Sequence, residues 1–79
     1  MASAQQRQVS GTVTGADGNP IVGASVFVEG TSTGTTTNVA GDFALTAPAN
    51  GTLTVSFIGY QTKSVAIAGK TNLKIVLDE

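Results

Sequence analysis

The side chains that could carry chemistry are few, and two of the most useful types, histidine and cysteine, do not occur. Without histidine there is no Ser-His-Asp or Cys-His relay, and without either residue almost every zinc arrangement is lost as well. A serine or threonine nucleophile would need another base, and none of the four cations, Arg7, Lys63, Lys70 and Lys74, lies in a catalytic motif. The acids are Asp17, Glu29, Asp42, Asp78 and Glu79. Glycosidic chemistry needs two carboxylates facing each other across a cleft. Here Asp78 and Glu79 are the last two residues, and the other three fall on separate turns or a loop edge. Asp17-Gly18-Asn19 opens like a calcium loop, but such a loop needs a bidentate acid further on. None follows at that spacing, so the segment reads as an Asx-type turn. No glycine motif leads into a helix that could cradle a phosphate. The sequence therefore predicts no catalytic residue, no metal site and no cofactor.

Tyr60, the single tyrosine, is the remaining candidate. As a structural residue its ring would be buried at the base of a β-sandwich with the hydroxyl bonded to backbone, as in a tyrosine corner. As a sugar platform it would want a second exposed aromatic. Of Phe27, Phe43 and Phe57, the last two lie on apolar faces.

The elements that must position these residues are strands. No window shows apolar residues at helical spacing, and glycine recurs about every eight residues, which disfavours helix throughout. Alternation with period two is clear. Val9, Gly11 and Val13 share a face, as do Ala24, Val26 and Val28; Phe43, Leu45 and Ala47; Leu53, Val55 and Phe57; Val65 and Ile67; and Leu73, Ile75 and Leu77. The opposite faces are mostly Thr, Ser and Lys, so each strand is buried on one side. A weaker strand fits at Thr35 to Val39. Seven short strands predict an all-β protein, a seven-stranded antiparallel Greek-key β-sandwich of prealbumin- or immunoglobulin-like architecture. Phe43, Leu45, Leu53, Val55, Phe57, Val26, Ile75 and Leu73 should centre its core. Phe27 and Val76 break the pattern by pointing outward, either as isolated apolar residues or as part of a contact surface.

Turn chemistry agrees with this division. Ala16-Asp17-Gly18-Asn19-Pro20 is a turn, Ala40-Gly41-Asp42 reads as a tight hairpin, and Pro48-Ala49-Asn50-Gly51 and Ala68-Gly69-Lys70-Thr71 follow. Gly30-Thr31-Ser32-Thr33-Gly34 reads as the crossing from one sheet to the other.

Composition bounds the rest. Seventy-nine residues allow one domain and one core, and a chain this short buries only about 60–65% of its unfolded surface. The 41% hydrophobic content with 11% charge points to a folded globular domain, and no apolar run approaches the roughly 20 residues of a membrane-spanning helix. Four scattered cations make neither the basic stripe that nucleic acid demands nor a polybasic membrane patch. The absence of cysteine leaves cytosol and periplasm equally open. Ala2-Ser3-Ala4 before Gln5 has the small-x-small form of a signal-peptidase site but lacks an apolar segment ahead of it. A signal-peptide remnant and a cloning scar both fit. Residues 1–7 read as a mobile tail and residues 8–79 as the domain.

Taken in order, Gly11 and Val13, Gly18-x-Pro20, Gly23-Ala24-x-Val26, Gly30 with Gly34, Gly41-x-Phe43, Leu53 and Phe57-Ile58-Gly59-Tyr60 resemble the carboxypeptidase-regulatory-like domain. The resemblance runs from about Gln8 to Leu77 and implies a small sandwich of prealbumin-like topology. Family members usually carry Thr-Asp before the hairpin and Gly-Asn-Phe within it. This chain has Thr37-Asn38 and Gly41-Asp42-Phe43, which moves one acid across the turn and leaves an acid-dependent contact there open. Related pilin-like domains form an isopeptide bond from a first-strand lysine, which the segment Gln8 to Thr14 lacks. Transthyretin-type hydrolases of the same topology need histidines.

The resemblance implies a non-enzymatic periplasmic module, of the kind found ahead of the plug in TonB-dependent outer-membrane transporters of the starch-utilisation type. Its partners would be the parent's plug and barrel and periplasmic components of the energising complex. The isolated domain would be monomeric. The same resemblance also fits a spacer or carbohydrate-binding module of a carboxypeptidase or cell-surface protein, or a designed or consensus version of the fold.

Overall fold

The computed structural model describes residues 6–79. Period-two alternation becomes seven strands, β1 (Gln6–Gly15), β2 (Ser25–Val28), β3 (Gly34–Thr36), β4 (Asp42–Pro48), β5 (Thr52–Ser56), β6 (Lys63–Ala66) and β7 (Asn72–Leu77). They form two sheets, one of three strands in the order β4-β1-β7 and one of four in the order β3-β2-β5-β6. The inner faces meet in a single core. Leu53, Ile67, Ile75, Leu77, Val9, Val13, Val26 and Val55 are its largest fully buried side chains. This is the two-layer arrangement that one-sided strands require.

Register places the closest contacts. Gly11 pairs with Phe43 across the β1–β4 ladder. A Cβ on Gly11 would fall 2.7 Å from the Phe43 ring and 2.5 Å from the Leu73 carbonyl oxygen. The bare glycine leaves room for the ring against the strand, where it keeps only 4% exposure.

Several expectations are corrected. The strands are not all antiparallel: β1 pairs β4 antiparallel but β7 in parallel, from Ser10 with Asn72 to Gly15 with Leu77. Side-chain alternation is identical in either direction, so the pattern cannot show it. Strand β1 starts at Gln6, where Gln6 and Arg7 pair with Pro48 and Ala47, so these two residues of the expected tail belong to the sheet. Met1 to Gln5 lie outside the described residues.

Gly30–Gly34 is not a sheet crossing but lies in the hairpin between β2 and β3 of the same sheet. Conversely, the turn at Ala40–Asp42 connects β3 to β4 and so passes from one sheet to the other. The weak strand is Gly34–Thr36 and does not reach Val39. Phe57 lies past the end of β5 and is only partly buried, whereas Ile21 and Thr37, both from loops, are buried. Thr37 shows how a loop hydroxyl enters a core. Its Oγ1 accepts the Ala24 N–H at 2.9 Å and donates to the Ile21 carbonyl, so both backbone groups are satisfied.

Candidate functional site

The order of elements divides the loops between the two ends of the sandwich. Ser25 pairs with both Thr36 and Ser56, and Thr12 pairs with Asp42. One end therefore gathers the β1–β2, β3–β4 and β5–β6 loops and the residues after β7. The other end gathers the β2–β3, β4–β5 and β6–β7 loops and the start of β1.

At the first end, the segment after β5 folds as a tight turn. The Tyr60 N–H donates to the Phe57 carbonyl at 3.1 Å, and Gly59 has φ of 87°. Positive φ at the third position is what a type II turn requires, and glycine supplies it without strain. Ile58, at the second position, is 91% exposed. The Phe57 and Tyr60 rings pack at 5.9 Å between centroids with 48° between planes. The next N–H, of Gln61, donates to the Asp78 carbonyl at 2.7 Å, which ties this turn to the last residues of the chain.

Tyr60 is partly buried on Phe57 and the core edge. The tyrosine-corner bond from its hydroxyl to backbone is not among the hydrogen bonds of the described residues. Its ring instead borders an open depression of about 180 Å³ with Ala16, Asp17 and Glu79. A second open depression, of about 370 Å³, lies among Gly23, Ser25, Ser56, Phe57 and Ile58.

Asp17 is committed within its own turn. Its carboxylate accepts the Asn19 backbone N–H at 3.1 Å and the Asn19 side-chain amide at 3.0 Å. These bonds, the backbone one foremost, hold its pKa below the ordinary aspartate value. The Asx turn read from the sequence is therefore present. Among the described residues, no three acids converge as metal ligands would.

The turn before β4 resolves the question of the displaced acid. Asn38 Oδ1 accepts the N–H groups of Ala40 and Asp42, both at 3.0 Å, so an amide oxygen does the work a carboxylate would do there. Asp42 in turn accepts the Thr12 hydroxyl at 2.8 Å across the β1–β4 pair. Gly41 has φ of 78°. Val39, at the tip of this turn, is 81% exposed.

Phe27 and Val76 do point outward, at 47% and 42% exposure. They lie on different sheets, however, and so on opposite outer faces, which divides them between two surfaces. Phe27 covers Gly34 on the neighbouring strand, where an added Cβ would collide with its ring. Sequence reading missed Ile58, Val39 and Val22 as exposed apolar residues. The signal was available for Ile58, since a residue before glycine in a four-residue turn points to solvent.

A two-sheet β-module with loops gathered at each end is the class this geometry defines. The chain belongs to the CarboxypepD_reg-like domain family, whose sequence model matches residues 9–79. It is similar to the TonB-dependent receptor SusC of Bacteroides thetaiotaomicron, at 42% identity over 99% of this chain and 8% of that receptor. Two TonB-dependent receptors of Formosa agariphila are similar at 36% and 38% identity, over 94% and 91% of this chain. The chain thus spans less than a tenth of the curated relatives it matches, 8% of one Formosa receptor and 7% of the other.

Proposed function

We propose that this chain is a non-enzymatic accessory module of a TonB-dependent receptor in the outer membrane, lying on the periplasmic side and acting through contact with other protein. The likeness to SusC over 99% of this chain carries the reading. The missing histidine and cysteine, the lack of a three-acid cluster among the described residues and the open depressions support a module without catalysis, metal or nucleotide. Its partners in this reading are the plug and barrel of its own parent and periplasmic components of the energising complex; nucleic acid is not among them. The isolated module is monomeric.

Removal of residues 8–77 from a parent receptor tests this. The barrel should still assemble in the outer membrane, while growth on the imported nutrient falls. Unchanged growth and uptake would turn the reading toward a passive spacer. Binding of a glycan by the isolated chain, abolished by Tyr60→Ala with the fold intact, would turn it toward a carbohydrate-binding module.

A further inference from the structure

The two ends of the sandwich differ in character. Three exposed apolar side chains stand on the three loops of one end, Val22 between β1 and β2, Val39 between β3 and β4, and Ile58 between β5 and β6. Val22 is 51% exposed, and the other two are more so. Each stands at a turn whose backbone is fixed. Gly23 N–H donates to the Thr37 carbonyl, Gly41 N–H to the Asn38 carbonyl and Tyr60 N–H to the Phe57 carbonyl. Fixed apolar tips lose little entropy when covered, which favours binding.

The same end carries most of the negative charge. Asp17, Asp42, Asp78 and Glu79 lie there, four of the five acids in the chain, against Lys63 at that end of β6 and Lys74, whose partner Thr12 also pairs with Asp42. At the opposite end are Arg7, Lys70 and the fifth acid, Glu29. The loops of that end, at residues 29–33, 49–51 and 67–71, carry no large exposed apolar residue. Charge asymmetry on a molecule with formal net charge of −1 is therefore a matter of placement, not of composition.

The geometry points to this end as a docking surface for a cationic protein segment that presents apolar side chains between its lysines or arginines. Apolar tips supply the buried area, and the surrounding carboxylates supply orientation and a faster encounter. Charge complementarity selects this occupant. A second copy of the chain would bring one net-negative surface onto another and would be repelled. The inference rests on the accessory-module reading for its setting, but its test needs only the chain itself, so either can fail alone.

The probe is a short synthetic peptide alternating lysine and leucine, titrated into the isotopically labelled full chain and followed by amide chemical shifts. Shifts should be confined to residues 16–24, 37–41, 57–62 and 78–79. The paired variant Val39→Ser with Ile58→Ser should weaken binding about tenfold or more while leaving the remaining spectrum unchanged. Raising salt from about 0.05 M to 0.5 M should weaken it as well. A matched peptide with glutamate for lysine should not bind. The inference is overturned by an absence of binding, by equal binding of the acidic peptide, or by shifts centred on residues 29–33, 49–51 and 67–71. Val22→Ser provides a second variant should the pair fail to fold, and its retention of full affinity would also count against the surface.

Discussion

Single residues in this domain carry unequal weight, and their environments say which matter. Phe43 is buried against Gly11, which has no side chain to fill the space its ring would leave. Phe43→Ala should cost about 3–5 kcal/mol, a large part of the roughly 4–12 kcal/mol available to a domain of this size. Phe57 is only partly buried, so Phe57→Ala should lower the melting temperature by clearly less. Equal losses in the two variants would mean that the Phe57 ring is deeper than described. Thr37→Val keeps the volume but strands the Ala24 N–H and the Ile21 carbonyl in the core. A loss of about 2–3 kcal/mol in urea denaturation is expected, and a neutral result would mean that water reaches both groups.

Asp17 gives a pH signature. Its folded pKa lies below the unfolded value, because the carboxylate accepts from Asn19. Its contribution is complete above the ordinary aspartate value of about 3.9 and is lost as pH falls through the lower folded value. Asp17→Ala should flatten that part of the stability curve, as urea denaturation at a series of acid pH values would show. Neither Thr37 nor Ile21 was legible in the sequence. Burial of a loop residue depends on what folds over it, and no periodicity records that.

At the scale of elements, the inward faces of six strands were legible because alternation with period two directly reports one-sided burial. Strand β3 was harder, since Gly34, Thr35 and Thr36 carry no apolar face and pair only along Ser25 to Phe27. The destinations of turns were not legible. A glycine-rich hairpin at Gly30–Gly34 and a sheet-to-sheet turn at Asn38–Gly41 use the same residue types, and only the partner strands distinguish them. The turns nevertheless differ in what they tolerate. Both Gly41 and Gly59 have positive φ, but an added Cβ at Gly41 would meet the Val13 carbonyl oxygen at 2.6 Å and Pro20 at 2.9 Å, whereas at Gly59 nothing lies within 4 Å. Gly59→Ala should therefore cost about 1 kcal/mol from backbone strain alone. Gly41→Ala should cost about 2–4 kcal/mol, because strain and collision add. Gly59→Val falls between, as a β-branched residue tolerates that φ poorly. A denaturation midpoint for Gly41→Ala equal to that of Gly59→Ala would show that the β3–β4 turn can move aside.

The whole molecule is one in which the first and last strands are neighbours running in the same direction, from Ser10 beside Asn72 to Gly15 beside Leu77. The sequence pattern gave no hint of this, yet it fixes how the domain would behave under a pull. Strand β1 begins at one end of the sandwich and β7 finishes at the other. Tension between Gln6 and Leu77 drags these two strands past each other, and their six paired positions share the load at once. Forced unfolding is governed by the barrier to that shared rupture. In single-molecule stretching, attachment beyond Gln6 and Leu77 should give one abrupt high-force event. Attachment at Ala16 and Asp78, which lie at the same end, should unzip the same ladder pair by pair at a much lower force. Equal forces in the two geometries would show that resistance lies elsewhere. With the expected difference, the domain is a mechanical clamp that transmits tension along the chain without opening.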